Sequence, residues 1–153
     1  MAIGLIRNIG GGGQGDSKRY LYDNGVWNVG YSNPGSFIVN GATFGGWVLG
    51  SDKLSKTSAS AKSVIATASK VDLANYSTLH VKAKALTLYS GSGARFTVCS
   101  GTDVLATSLA DAFITTLNSV VDYALDISAL TEGYISVFST DDRNAEIYEI
   151  YLT

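Results

Sequence analysis

The sequence predicts an all-β protein, an antiparallel two-sheet β-sandwich of about ten short strands. Three observations lead there. Seventeen glycines against a single proline, with nine tyrosines and many Ser, Thr and Val, favour short strands joined by glycine turns over helices. Polar and apolar side chains alternate at period two through Lys62 to Ala68 and, most clearly, through Leu79-His80-Val81-Lys82-Ala83-Lys84-Ala85. Turn-forming Gly, Asp, Asn and Ser separate further strand-length runs at 95–100, 103–108, 112–117, 119–127, 134–139 and 145–152, and no long segment has helical period.

With 153 residues, 46% hydrophobic and 16% charged, the chain has room for one domain and enough apolar content to fill its core. Residues 1–15 divide off as an apolar lead (Ile3, Leu5, Ile6, Ile9) and a glycine linker around Gly10 to Gly13, leaving 16–153 as the sandwich. The lead is read either as a docking tether or as a strand packed on its own domain. Tyr20 to Tyr31 forms two short strands around Asp23-Asn24-Gly25, residues that tolerate the positive φ of a tight turn. Gly30 to Gly50, dense in glycine, reads as loops and short strands presenting Phe37, Phe44 and Trp47. On the 79–85 strand, Leu79, Val81, Ala83 and Ala85 face the core, and His80, Lys82 and Lys84 face solvent or a partner.

One corner is used twice. Val71-Asp72-Leu73-Ala74-Asn75-Tyr76 and Leu125-Asp126-Ile127-Ser128-Ala129-Leu130 share an Asp, an apolar residue, a polar turn and an apolar plug, 54 positions apart. The Asp carboxylate accepts local backbone N–H groups, and such a turn carries the chain from one sheet to the other.

Charge and cysteine content exclude several classes. A net charge of −2 provides no basic footprint for a phosphate backbone, so nucleic acid is not an expected partner. Residues 1–84 hold nine basic and four acidic side chains, and 85–153 hold two basic and nine acidic. Interleaved strands would mix these charges in one sandwich; the other reading is complementary subunit faces. Cys99 is alone, so no internal disulfide forms, and it sits in an apolar strand as a small hydrophobe. The N-terminus has no h-region of signal-peptide length, and no run approaches the ~20 apolar residues of a membrane span. The expectation is a product made in the cytoplasm with no membrane association.

Catalytic groups are sparse. His80 is the only histidine and lies outward mid-strand, so no Ser-His-Asp triad is expected and no catalytic residue is assigned. No Cys/His cluster has metal spacing. Cofactors are expected to be absent, with calcium at Asp141-Asp142-Arg143-Asn144 and Asp103 the one open metal question against a solvated turn. For binding, the useful side chains are aromatics that stack on a sugar face. Trp27, Tyr31, Trp47 and Tyr89 lie in or beside glycine-rich loops, with Trp47 also readable as a core cap. Arg95 and Arg143, the only cations of the acidic half, either bridge carboxylates or hold an anionic or sugar group.

Leu21 to Gly25, Gly45-Gly46-Trp47, the two Asp corners and the ending Ala145 to Leu152 together resemble the galactose-binding-like or carbohydrate-binding-module jelly rolls of tailed-bacteriophage structural proteins. The resemblance covers most of residues 20–152. It implies a jelly-roll β-sandwich in a virion component of tail, baseplate or head surface, non-catalytic, binding a host-surface carbohydrate or other virion proteins during adsorption. The alternative is a purely structural accessory that binds no sugar. With the apolar lead it also implies a homo-oligomer, a trimer in first place.

Overall fold

The computed structural model describes residues 17–57, 62–140 and 143–153. The apolar lead, the glycine linker and Asp141-Asp142 lie outside the described residues. Fifteen strands are present in this part of the chain, and six of them are two-residue pieces. The first sheet is ordered β13 (Val121–Asp126), β10 (Thr78–Ala85), β15 (Ala145–Leu152), β1 (Arg19–Asp23), β2 (Val26–Trp27). Along one side β15 pairs with β10; on its other side it pairs first with β7 (Leu54–Lys56), which carries β6 (Val48–Leu49), and then with β1. The second sheet is ordered β12 (Ser108–Phe113), β11 (Arg95–Cys99), β14 (Glu132–Ser139), β8 (Ser63–Thr67), β3 (Tyr31–Ser32), with β9 (Val71–Asp72) also on β14. The pair β4 (Ile38–Val39) and β5 (Ala42–Thr43) stands apart. All of these ladders are antiparallel.

The chain opens with the expected hairpin. Asn24 and Gly25 both have positive φ, 44° and 103°, the combination whose twist matches two antiparallel strands. The expected inward set of β10 is also found: Leu79, Val81, Ala83 and Ala85 are fully buried, while His80, Lys82 and Lys84 lie on the other face. They pack with Leu21, Ile147, Ile150 and Leu152 against Ile65, Phe96, Val98, Ile135 and Val137 of the second sheet. The two sheets differ in cover. Phe37, Val39, Phe44 and Val104 fold over the outer face of the second sheet onto Val64, Ala66, Cys99 and Phe138. Strand β8 is therefore buried at every position and loses its alternation. Cys99 is fully buried there, and burial pushes its thiol pKa up to about 12.

The two Asp corners are equivalent in detail. Asp72 Oδ1 accepts from Ala74 N at 3.0 Å and Asp126 Oδ1 accepts from Ser128 N at 2.9 Å. Tyr76 N donates to Leu73 O, and Leu130 N donates to Ile127 O. Each corner is also bound by the segment following the other: Leu73 N donates to Thr131 O and Ile127 N to Ser77 O. Strand register repeats the exchange, with Asp72 opposite Glu132 and Asp126 opposite Thr78. The corners are thus related by a local pseudo-twofold, and each buries the apolar residue after its Asp, Leu73 or Ile127, while the expected plugs Tyr76 and Leu130 are only half-buried.

One stretch differs from expectation. Residues 103–107 form a turn, a single strand occupies 108–113, and 114–120 connects it to β13. The cause is side-chain competition for the backbone. Asp103 accepts from the amides of Asn40, Gly41 and Ala106, and Thr107 Oγ1 donates to Asp103 O, so the apolar run Val104-Leu105-Ala106 is a plug with caps. These amide bonds outweigh desolvation and hold the Asp103 carboxyl below its ordinary range. Beyond the strand, Tyr123 Oη takes the amides of Thr115 and Thr116, which keeps them out of a ladder.

Charges from the two halves of the chain are mixed within one sandwich. Lys53–Glu146, Lys70–Glu132, Lys82–Glu149 and Lys84–Glu146 each join a cation of the first half to a carboxylate of the second.

Candidate functional site

Because loops cover the outer face of the second sheet, the outer face of the first sheet is the broad open surface that the strands themselves build. Its side chains are set by register. Across one row lie Ala124, His80, Tyr151 and Tyr20, and across the next lie Asp122, Lys82, Glu149 and Asp23. A third row holds Lys84, Glu146 and Ser55. Neighbouring strands are about 4.8 Å apart, so the rows form a regular grid of polar and aromatic groups.

The grid is tightly interconnected. Tyr151 stacks on His80 with ring centroids 4.4 Å apart and planes 2° from parallel, and Tyr20 packs on its other side at 5.2 Å. The Lys18 ammonium sits 4.6 Å from the Tyr151 ring centre. Tyr151 donates its hydroxyl proton to Asp122. Burial, and then that carboxylate, raise the Tyr151 pKa well above the ordinary phenol range. Glu146 accepts from Tyr148 Oη at 2.6 Å and pairs with Lys84 at 3.1 Å and Lys53 at 3.2 Å. The Tyr148 bond is the largest influence on Glu146 and, with the two lysines, keeps its carboxyl below the ordinary range against desolvation. Glu149 takes Asn24 Nδ2 at 3.3 Å and faces Lys82 at 3.6 Å. Two of the carboxylates are held deeper than the lysines: the Glu146 and Glu149 side chains are 14% and 15% exposed, Lys82 44%. Fixed acceptors beside movable donors, flanked by tyrosine rings, suit a ligand whose vicinal hydroxyls both donate and accept.

His80 also contacts the hydroxyl of Thr153, Nε2 to Oγ1 at 3.0 Å, while its Nδ1 lies 3.3 Å from Asp122 Oδ1. This hydroxyl–imidazole–carboxylate order was not anticipated from the sequence. It lies on an open sheet face. The amide of Thr153 is spent on Thr78 O, so the hydroxyl residue itself contributes no oxyanion donor, and Asp122 is shared with Tyr151.

The six residues singled out from sequence fall elsewhere, in two groups. Trp27 and Tyr31 stack at 5.0 Å and 18°, with Trp27 resting on Tyr22 and the core. Tyr31 is 42% exposed. Trp47 is 3% exposed, its backbone clipped by Asn33, so it is the core cap and offers no ring face to a ligand. Tyr89, Arg95 and Arg143 form the second group, on the outer side of the second sheet. Arg143 lies 5.2 Å from the Tyr89 ring centre, and Arg95 bonds Asp111 at 3.0 Å while lying over Phe113. The open face was missed because a bulge at Lys82/Ala83 against β15 breaks the alternation of Glu146, Tyr148, Glu149 and Tyr151. The outward set of β10, visible in sequence, was the available signal.

The fold is a jelly-roll β-sandwich with one covered and one open sheet. It is similar to solved carbohydrate-binding modules of family 29. A mutant of such a module has a TM-score of 0.51 at 15% identity, covering 90% of this chain and 91% of that one. A second family 29 module gives 0.51 at 14%, covering 89% and 87%. A third, a mutant complexed with mannohexaose, gives 0.50 at 14%, covering 89% and 90%. At these identities the likeness is one of fold. The jelly-roll expected from the resemblance is therefore found; nothing in these neighbours links the chain to tailed-bacteriophage proteins. No protein-family profile matches the sequence, and no curated protein sequence does.

Proposed function

We propose that this chain is a non-catalytic carbohydrate-binding module that lays a glycan across the open face of its first sheet. The observation that carries the reading is the grid of Lys82, Lys84, Glu146, Glu149 and Asp122 beside the half-buried Tyr20 and Tyr148; Tyr151, 3% exposed, is packed between His80 and Tyr20 and offers no free ring face. The shared fold with glycan-binding modules supports it. A site that bound glycan in the millimolar range would supply only about −4 kcal/mol, and adhesion at that strength would require several copies side by side. We place the module, as the sequence resemblance implies, on a virion surface as a homo-oligomer that contacts host glycans, with no cofactor.

The test is binding of mannohexaose and of a glycan array, followed by titration of Lys82→Ala and Glu149→Gln. Each variant is expected to weaken binding about fivefold or more, and Lys82→Ala, which removes the 44% exposed partner of the pair, is expected to melt near the wild-type temperature, since such ion pairs contribute only ~0–1 kcal/mol. Binding unchanged in the double variant would remove the open face as the site. Turnover of a bound glycan, abolished by His80→Ala, would overturn the non-catalytic half.

A second reading is a structural accessory that holds neighbouring subunits and binds no sugar. It is favoured by the exposed apolar side chains Val26 (58%), Val48 (62%) and Leu49 (46%) near Tyr31. The hairpin tip at Gly25 abuts Ser51, and Asn33 clips Trp47, so these segments share one edge. Val48→Asp would break assembly under this reading and leave glycan binding intact under the first.

A further inference from the structure

Arg95 and Arg143 are the only cations of residues 85–153, and both line a single open pocket of about 180 Å³ on the outer side of the second sheet. The pocket lies across the sandwich from the grid just described. Its floor is Leu105, Phe113 and Phe138, and Thr140 stands beside Arg143. Both guanidiniums are held in place. Arg95 lies 4.2 Å from the Phe113 ring centre and 5.7 Å from that of Phe138, with one Nη on Asp111 at 3.0 Å. Arg143 packs on Tyr89, donates from Nε to Ser92 O at 3.2 Å, and donates from Nη1 to Thr140 Oγ1.

Each guanidinium has five N–H groups, so donors remain. The Nε and Nη2 of Arg95 and the Nη2 of Arg143 have no hydrogen-bond partner among the described residues. Asp111 balances one of the two charges, which leaves the pocket one formal positive charge among those residues. A guanidinium anchored by stacking and by one neighbour is a preorganised fork for a planar anion. The apolar floor suits the C–H face of a sugar ring. The volume is below the ~300–1,000 Å³ of drug-sized sites, enough for one ring and not a chain.

We propose that this pocket is a second site, which binds the carboxylate of an acidic sugar residue, a uronate, with Arg143 and Arg95 on the carboxylate and the ring over Phe113. The saccharide part rests on the glycan-binding reading; the arginine pair and its anion do not.

The experiment titrates the full chain with a trigalacturonate and with neutral galactotriose, following binding by calorimetry or amide chemical shifts, in wild type, Arg143→Gln and Lys70→Ala, a surface cation outside both sites. Expected is trigalacturonate binding that weakens roughly tenfold or more in Arg143→Gln and with added salt, is unchanged in Lys70→Ala, and exceeds that of the neutral trimer. Arg143→Lys, which keeps the charge and loses the fork, is expected to recover only part. Equal binding of both trimers, or an Arg143→Gln titration identical to wild type, overturns the site. Tighter binding of a tri-glutamate peptide than of trigalacturonate overturns the sugar assignment. Failure of the open face appears separately, as Lys82→Ala without effect on mannohexaose.

Discussion

Leu73→Ala and Ile127→Ala test the paired corners most directly. The two side chains are isomers, each fully buried and each following the corner Asp. Truncation to Ala removes three carbons from either, and at ~0.8 kcal/mol per buried carbon the transfer loss is about 2.4 kcal/mol. A cavity contribution brings such changes to ~2–5 kcal/mol, and about 3 is expected for each of the two residues. In a chain of this size 1 kcal/mol moves the melting temperature by ~2–4 °C, so each variant should melt ~6–12 °C below wild type. The pseudo-twofold adds the sharper requirement that the two losses be alike, because equivalent backbone bonds limit how far either site relaxes. Urea titration followed by tryptophan fluorescence, checked against thermal melts, measures both. If one variant loses its full share and the other melts within ~2 °C of wild type, the corners are not equivalent and the symmetry argument is wrong.

Three more predictions concern titrating groups. Asp103, Asp126 and Glu146 have carboxyl pKa values lowered in the fold, so the unfolded chain takes up protons first on acidification. Their stabilisation is present above the ordinary carboxyl range near ~4 and is lost as pH falls through the lowered values. Thermal melts should therefore decline below about pH 4, and Asp126→Asn should shallow that decline; an unchanged acid slope would remove Asp126 as a contributor. On the alkaline side Tyr22, raised to about 12 chiefly by burial, is held neutral in the fold, so stability should fall as pH climbs past ~10. Cys99 should be inert to a disulfide reagent at pH 8, since its raised pKa cuts the thiolate fraction by about 10³ relative to a free thiol and no sulfur is exposed. Labelling of the native protein at the rate of a small thiol would mean that the sheet opens there.

The one-dimensional pattern was sufficient wherever a strand is covered on one face only. Strand β10 alternates cleanly because its inner side meets the core and its outer side meets water, and Asp23-Asn24-Gly25 specified a hairpin through local backbone geometry. The corners were legible for the same reason, since an Asp that bonds an amide two residues on acts within a single turn. Where a sheet is covered twice, apolar runs no longer tell a strand from a plug, and 103–107 was misplaced accordingly. The loop aromatics show the same limit: nothing local distinguishes Trp47, which faces the core, from Tyr31, which stands at the edge. Tertiary structure alone set Lys82 beside Glu149 across 67 positions of chain, and turned Arg95 and Arg143 toward one pocket. Alternation and turn chemistry act within a few residues and so are written in the chain. Which surface stays open, and which distant charges meet on it, depends on how the two sheets and their covering loops pack.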